Sequence, residues 1–133
     1  MPASVKLTGT HLLDTSAILA YLLNEPQAGR VSSIHSISCL PFIVLAELYA
    51  ALWIKFNQPT ADIAIATLRQ WKRPWLWPTD TTLLLAGRLR AIHRLGLADS
   101  LIASLAIAHQ LILVTKDHDF RPLEPELTLL FLG

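Results

Sequence analysis

The chain has 133 residues, of which 53% are hydrophobic and 16% charged, with a net charge of +1 and a single cysteine, Cys39. That balance excludes a disordered chain, and one cysteine excludes an internal disulfide framework and fits a reducing compartment. The near-zero charge neither announces a nucleic-acid partner nor excludes one.

In chain order, a short apolar run from His11 to Leu13 reads as a strand ending at Asp14, followed by a helix from about Ser16 to Leu23 that Pro26 stops. A short helix around Gln27 to His35 leads to a second strand, Ile37 to Leu40. Pro41 is expected near the start of a helix reaching about Phe56, because its missing N–H is tolerated there. Thr60 is expected to cap a helix ending near Trp71, and Trp75 to Trp77 reads as a third strand between prolines. Thr79 or Asp80 caps a helix to about Arg94, which Gly96 ends. Ala98 to His109 reads as helix, Leu111 to Val114 as the most strand-like run, and Leu127 to Leu132 as an edge strand. Alternating strands and helices predict one α/β domain over residues 1–133, with a mainly parallel sheet of about four to five strands flanked by helices.

The N-terminus lacks a signal-peptide pattern, since Asp14 interrupts any apolar region there. The longest uncharged stretches, Val31 to Ala46 and Ser100 to Thr115, have 16 residues each. Both are shorter than the roughly 20 a bilayer span requires, so a cytoplasmic protein without membrane contact is expected.

The placement of acids carries the chemical information. Asp14 is the only formal charge between Leu7 and Asn24, Glu47 the only one between Val31 and Ile54, and Asp99 the only one between Leu95 and Thr115. Burying a lone carboxylate costs several kcal/mol, roughly, unless something pairs with it. No basic residue lies on the same helical face as Glu47 or Asp99, which leaves a long-range salt bridge to one of the 11 basic residues, or one cation shared by the acids together, as the partner. A fourth acid, Asp117 or Asp119, follows the Leu111–Val114 strand; it and Asp14 belong at the carboxyl edge of a parallel sheet, where sites form. An all-oxygen set suits Mg²⁺ or Mn²⁺ rather than zinc, and the five histidines show no ligand spacing.

The ordered segments LLDTSAILAYL, FIVLAELYAAL and LGLADSLIASLAIAHQLILVTKDHDF resemble the PIN domain, specifically the VapC-type toxin ribonucleases of toxin–antitoxin pairs. The resemblance runs from about Leu12 to Phe120 and implies a three-layer α/β sandwich. It implies that Asp14, Glu47, Asp99 and Asp117 gather around Mg²⁺ or Mn²⁺, with Asp119 able to share or take the last role. Asp14, Asp99 and Asp117 would be ligands, and Glu47 would orient the attacking water or complete a second ion site. Ser16 and Thr115 are similar to hydroxyls that steady the site or a phosphate; a helix cap and a strand-end turn explain them equally. The implied activity is endonucleolytic cleavage of RNA, with a cognate antitoxin and a homodimer as partners. About ten residues precede the first strand, more than in many such chains.

Basic residues are less informative. Arg88, Arg90, Arg94 and Lys116 would hold phosphates or simply form a solvated face. Trp71, Trp75 and Trp77 suit core, partner interface or base stacking. A non-catalytic PIN-like RNA- or protein-binding module is the alternative, and the four acids argue against it. A Mg²⁺-dependent phosphatase would need a second Asp where Ser16 stands.

Overall fold

The computed structural model describes residues 9–133, so the segment from Met1 to Thr8, most of the stretch preceding the first strand, lies outside the described residues. The elements are β1 (His11–Leu13), α1 (Thr15–Leu22), α2 (Ala28–Ile34), β2 (Ser38–Pro41), α3 (Val44–Lys55) and α4 (Gln58–Gln70). They continue with β3 (Trp75–Leu76), α5 (Asp80–His93), α6 (Leu97–Ala108), β4 (Ile112–Thr115) and β5 (Leu129–Phe131). Short 3₁₀ turns cover His35–Ile37 and His118–Leu123.

The five strands form one sheet in the order β3-β2-β1-β4-β5, and every pairing is parallel. Parallel neighbours need crossover connections, and the α-helices supply them except between β4 and β5, where the 3₁₀ turn His118–Leu123 does. With both faces covered, the strands can be apolar throughout, and Leu12, Leu13, Cys39, Leu40, Leu113 and Val114 are wholly buried. α6 carries seven consecutive buried residues, Ser100 to Ala106, which accounts for its apolar sequence.

Several sequence expectations shift by local chemistry. Pro41 ends β2 rather than opening a helix. Leu40 and Phe42 donate their N–H groups to Pro74 and Leu76 on the β3 side. The amide-less Pro41 thus faces β1, whose ladder with β2 has already stopped at Leu12–Cys39. The cap of α4 is Asn57, whose side chain accepts from the Thr60 N–H at 2.9 Å, so Thr60 is inside the first turn. Thr79 does cap α5, reciprocally with Thr82 in a capping box. The Asp14 side chain caps α1, leaving Ser16 inside that helix.

The tryptophans divide. Trp71 packs edge-on against Tyr21 with ring centroids 5.1 Å apart, and Trp75 is half-buried against the core. Trp77 is 62% exposed and leans on Phe42. Among the described residues, no helix is long and apolar enough to cross a membrane.

Candidate active site

The sheet order places the topological switch point between β1 and β4: from β1 the chain moves outward to β2 and β3, and from β4 to β5 on the opposite side. Crossovers leaving in opposite directions open a crevice beyond the carboxyl ends of those two strands. Asp14 directly follows β1, and Asp117 follows β4 by two residues. Glu47 and Asp99 reach the same place from helices, each in the first turn of its own, α3 and α6. Three helix N-termini therefore bring their carboxylates together, and the positive end of each dipole favours the ionised acid.

One cavity of about 240 Å³ is lined by Asp14, Glu47, Asp99 and Asp117, with Thr15, Ser16, Leu19 and Ile102 completing its wall. The larger cavity, about 600 Å³ among α1 to α4, contains no acid, base or nucleophile beyond hydroxyls and is remote in character from hydrolytic chemistry. All four acids proposed from the sequence thus meet in one place. Asp119 is not in the cavity wall, but it is close: one carboxylate oxygen each from Asp99, Asp117 and Asp119 lie within 4.8 Å of one another.

Asp14 is the fixed point. It is 4% exposed, and its Oδ1 accepts from Ser16 Oγ at 2.7 Å and from the Ala17 N–H at 3.0 Å. Thr115 Oγ1 donates to its Oδ2 at 2.5 Å. Burial raises the pKa of Asp14, the three hydrogen bonds oppose that shift, and the charge of Asp117 adds to it. The two hydroxyls also tie the strand ends together. Ser16 Oγ accepts from the Lys116 N–H at 2.9 Å, and Thr115 Oγ1 accepts from the Asp117 N–H at 2.9 Å. Both hydroxyls therefore position the acids, and Thr115 does so while completely buried.

Sequence reasoning missed Thr15. Its Oγ1 donates to Glu47 Oε1 at 2.5 Å, holding one oxygen of that carboxylate. The signal available was the hydroxyl run Thr15–Ser16 directly after a strand-end acid, where only Ser16 drew notice. Asp117 in turn accepts from the Asp119 N–H at 2.9 Å, which starts the 3₁₀ turn and sets Asp119 beside it.

Asp99 differs from the others in having no hydrogen bond or ion pair among the described residues. Its pKa is pushed up to about 6, first by burial and then by the charges of Asp117, Asp14, Glu47 and Asp119. No lysine or arginine pairs with any of the four acids among the described residues; Lys116, the nearest in sequence to Asp117, is instead held 2.6 Å from Glu25. Carboxylates assembled without a counter-ion, and without Cys or His in the cavity wall, have the donor chemistry of a hard divalent cation site. The residues present fit Mg²⁺ or Mn²⁺.

No curated protein sequence matches the chain significantly. Solved structures do resemble it. VapBC from Salmonella typhimurium, bound to DNA, superposes with a TM-score of 0.78 at 20% identity, over 94% of this chain and 99% of that one. VapBC2 from Rickettsia felis, bound to a DNA fragment from its promoter, gives 0.75 at 22% identity, over 91% and 97%. VapBC-1 from nontypeable Haemophilus influenzae gives 0.72 at 24% identity, over 92% and 97%. These likenesses establish the fold as the PIN-like α/β sandwich expected from the sequence. The family model for the PIN domain matches residues 11–124, a span that starts at β1 and takes in every acid of the cavity, and the chain belongs to the PIN domain family.

Proposed function

We propose that this protein is a Mg²⁺- or Mn²⁺-dependent endoribonuclease, acting as the toxin of a toxin–antitoxin pair. The observation that carries the reading is the meeting of Asp14, Glu47, Asp99 and Asp117 in one cavity with no basic partner among the described residues. When bound, the cation lowers the pKa of a water and neutralises charge on the scissile phosphodiester.

The chain's own groups do the rest. Asp14, Asp99 and Asp117 would hold the cation, with Asp119 within reach of Asp99 and Asp117. Thr115, Ser16 and the Ala17 amide fix the Asp14 carboxylate before any substrate arrives. That matters because a ligand already in place costs no reorganisation during reaction. Glu47, its Oε1 held by Thr15, presents Oε2 to accept a hydrogen bond from the attacking water and so aims it. The scissile phosphate would enter from the open rim, where Asp117 is half-buried and Asp119 exposed.

The antitoxin partner is supported by the neighbours of this fold, several of which are VapBC assemblies. It is supported too by the large apolar side chains left in water on α3 and α4, Trp53, Ile54 and Ile63. The test is incubation of the protein with RNA in chelator, then with Mg²⁺ or Mn²⁺ added, beside an Asp14→Asn control. Cleavage is expected only with metal and only in the wild type. Cleavage that persists in excess chelator and leaves 2′,3′-cyclic phosphate ends would mean metal-free acid–base chemistry and overturn the reading.

A further inference from the structure

A site made of carboxylates repels the polyanion it is to cut, so substrate must be held by cations nearby. Lys116 does not serve, since Glu25 holds it at 2.6 Å. Arg121 is exposed, lies two residues beyond Asp119, and forms no ion pair among the described residues.

Its side chain is nonetheless fixed. Arg121 Nε donates to His118 Nδ1 at 3.0 Å, and the guanidinium carbon sits 4.5 Å from the centre of the Phe131 ring. The His118 ring stacks on the same phenyl ring, with centroids 4.6 Å apart and planes inclined by 19°. Because Nδ1 of His118 accepts, its other ring nitrogen carries the proton and is a donor. Four of the five guanidinium N–H groups remain after the bond to His118. The result is a donor surface whose orientation is set before ligand binds, which lowers the entropy lost on binding.

Its position follows from the sheet. Phe131 ends β5 and pairs in register with Thr115, the residue that donates to Asp14. β5, which carries the Phe131 of this platform, thus runs one strand spacing, about 4.8 Å, to the side of the strand that carries the site. His118 itself lies between Asp117 and Asp119.

We propose that Arg121, held by His118 and Phe131, is a phosphate-binding subsite for single-stranded RNA, taking a phosphodiester adjacent to the one at the carboxylates. This rests on the nuclease reading above. A planar guanidinium fork matches two phosphate oxygens, which an ammonium cannot do. The substrate strand then crosses the carboxyl edge of the sheet from β1 and β4 toward β5.

The test uses the full chain with a short fluorescein-labelled single-stranded RNA. Binding is followed by anisotropy in chelator across a salt series, and cleavage kinetics are measured with Mg²⁺. Arg121→Gln is expected to raise KM about tenfold, as for a lost charge-assisted hydrogen bond, with kcat within about twofold. The slope of log affinity against log salt should fall by about 0.7, the value for one phosphate contact on a single strand. Arg121→Lys should keep the wild-type slope while recovering only part of the affinity. Melting temperatures in chelator report whether either variant is merely less folded; if Arg121→Gln is, Phe131→Leu, which frees the arginine without removing its charge, should keep the slope and raise KM. Unchanged KM and salt slope in Arg121→Gln would overturn the subsite, even if the loss of charge weakened a protein partner instead. A wild type that binds RNA with this slope but never cleaves it would overturn the nuclease reading alone.

Discussion

Asp99→Asn separates a cation site from a structural ion pair, and the sign of its effect on the metal-free protein decides between them. Asp99 has no hydrogen bond or ion pair to lose among the described residues, and burial with four neighbouring acids pushes its pKa from 3.8 to about 6. Two pKa units correspond to about 3 kcal/mol of penalty on the ionised form. The carboxylate is partly open to water, and screening cuts this to roughly 1–2 kcal/mol. The pH dependence follows from proton counts. Below pH 3.8 Asp99 is protonated in both the folded and unfolded chain and costs nothing. Between pH 3.8 and about 6 the folded chain binds the extra proton, so wild-type stability from this group falls as pH rises. Above about pH 6 the full penalty is present. The near-isosteric amide lacks it throughout, so in chelator the mutant should match the wild type near pH 3.5 and melt higher at pH 7, by roughly 3–8 °C for a domain of this size. Added Mg²⁺ should then raise the wild type's melting temperature more than the mutant's, and RNA cleavage should be lost. The assay is thermal melting of both proteins at several pH values, with chelator and with Mg²⁺. A mutant less stable than wild type in chelator by about 3–5 kcal/mol, with its Mg²⁺ response intact, would show a broken structural pair and refute the reasoning.

Thr15→Val removes the hydroxyl that holds Glu47 Oε1, so kcat should drop by about 10- to 100-fold, as for a misaimed group, while the Mg²⁺-induced thermal shift persists. An unchanged kcat would show that Glu47 needs no such hold. Thr115→Val is nearly isosteric but strips a buried donor from Asp14 and an acceptor from the Asp117 amide; urea unfolding should show a loss of about 1–3 kcal/mol, and a loss below about 0.5 would mean these groups find other partners. Sedimentation equilibrium at micromolar concentration should give a homodimer, given that Leu83, Leu84 and Ile92 are each exposed on α5; a monomer would count against it.

The acids were legible in the sequence because a formal charge inside an apolar stretch has no cheap local explanation, and the structure gathers all four. The parallel sheet was legible because the runs Leu12–Leu13 and Ile112–Val114 within β1 and β4 are apolar on both faces, which alternation alone would not produce. What stayed hidden depended on choices that local chemistry leaves balanced. Asn57 and Thr60 are both good caps three residues apart, and which one starts α4 is settled by the chain's path out of α3. Pro41 suits a helix start and a strand end alike; only the point where the β1–β2 ladder stops distinguishes them. Thr15 could not be assigned because its partner, Glu47, is 32 residues away, and no periodic pattern links a strand-end hydroxyl to the first turn of another helix. The turn that brings Asp119 beside Asp117 likewise rests on a side chain accepting from the backbone, a bond that composition does not advertise.

The same arrangement explains why such a site is stable enough to persist. Its four acids come from β1, α3, α6 and the segment after β4, so they are close only when β1 and β4 are paired. In the unfolded chain they are far apart and repel little; folding concentrates the charge and creates the strain read in Asp99. Part of that strain is offset at once, by three helix N-termini and by the hydroxyls of Thr15, Ser16 and Thr115. The remainder is offset by any cation that recognises the folded cluster alone. At 100 times its dissociation constant such a cation contributes about 2.7 kcal/mol, more than the roughly 1–2 kcal/mol assigned to Asp99. The repulsion that weakens the metal-free chain is therefore what would make a bound cation selective for the native state. A variant that relieves the first must weaken the second.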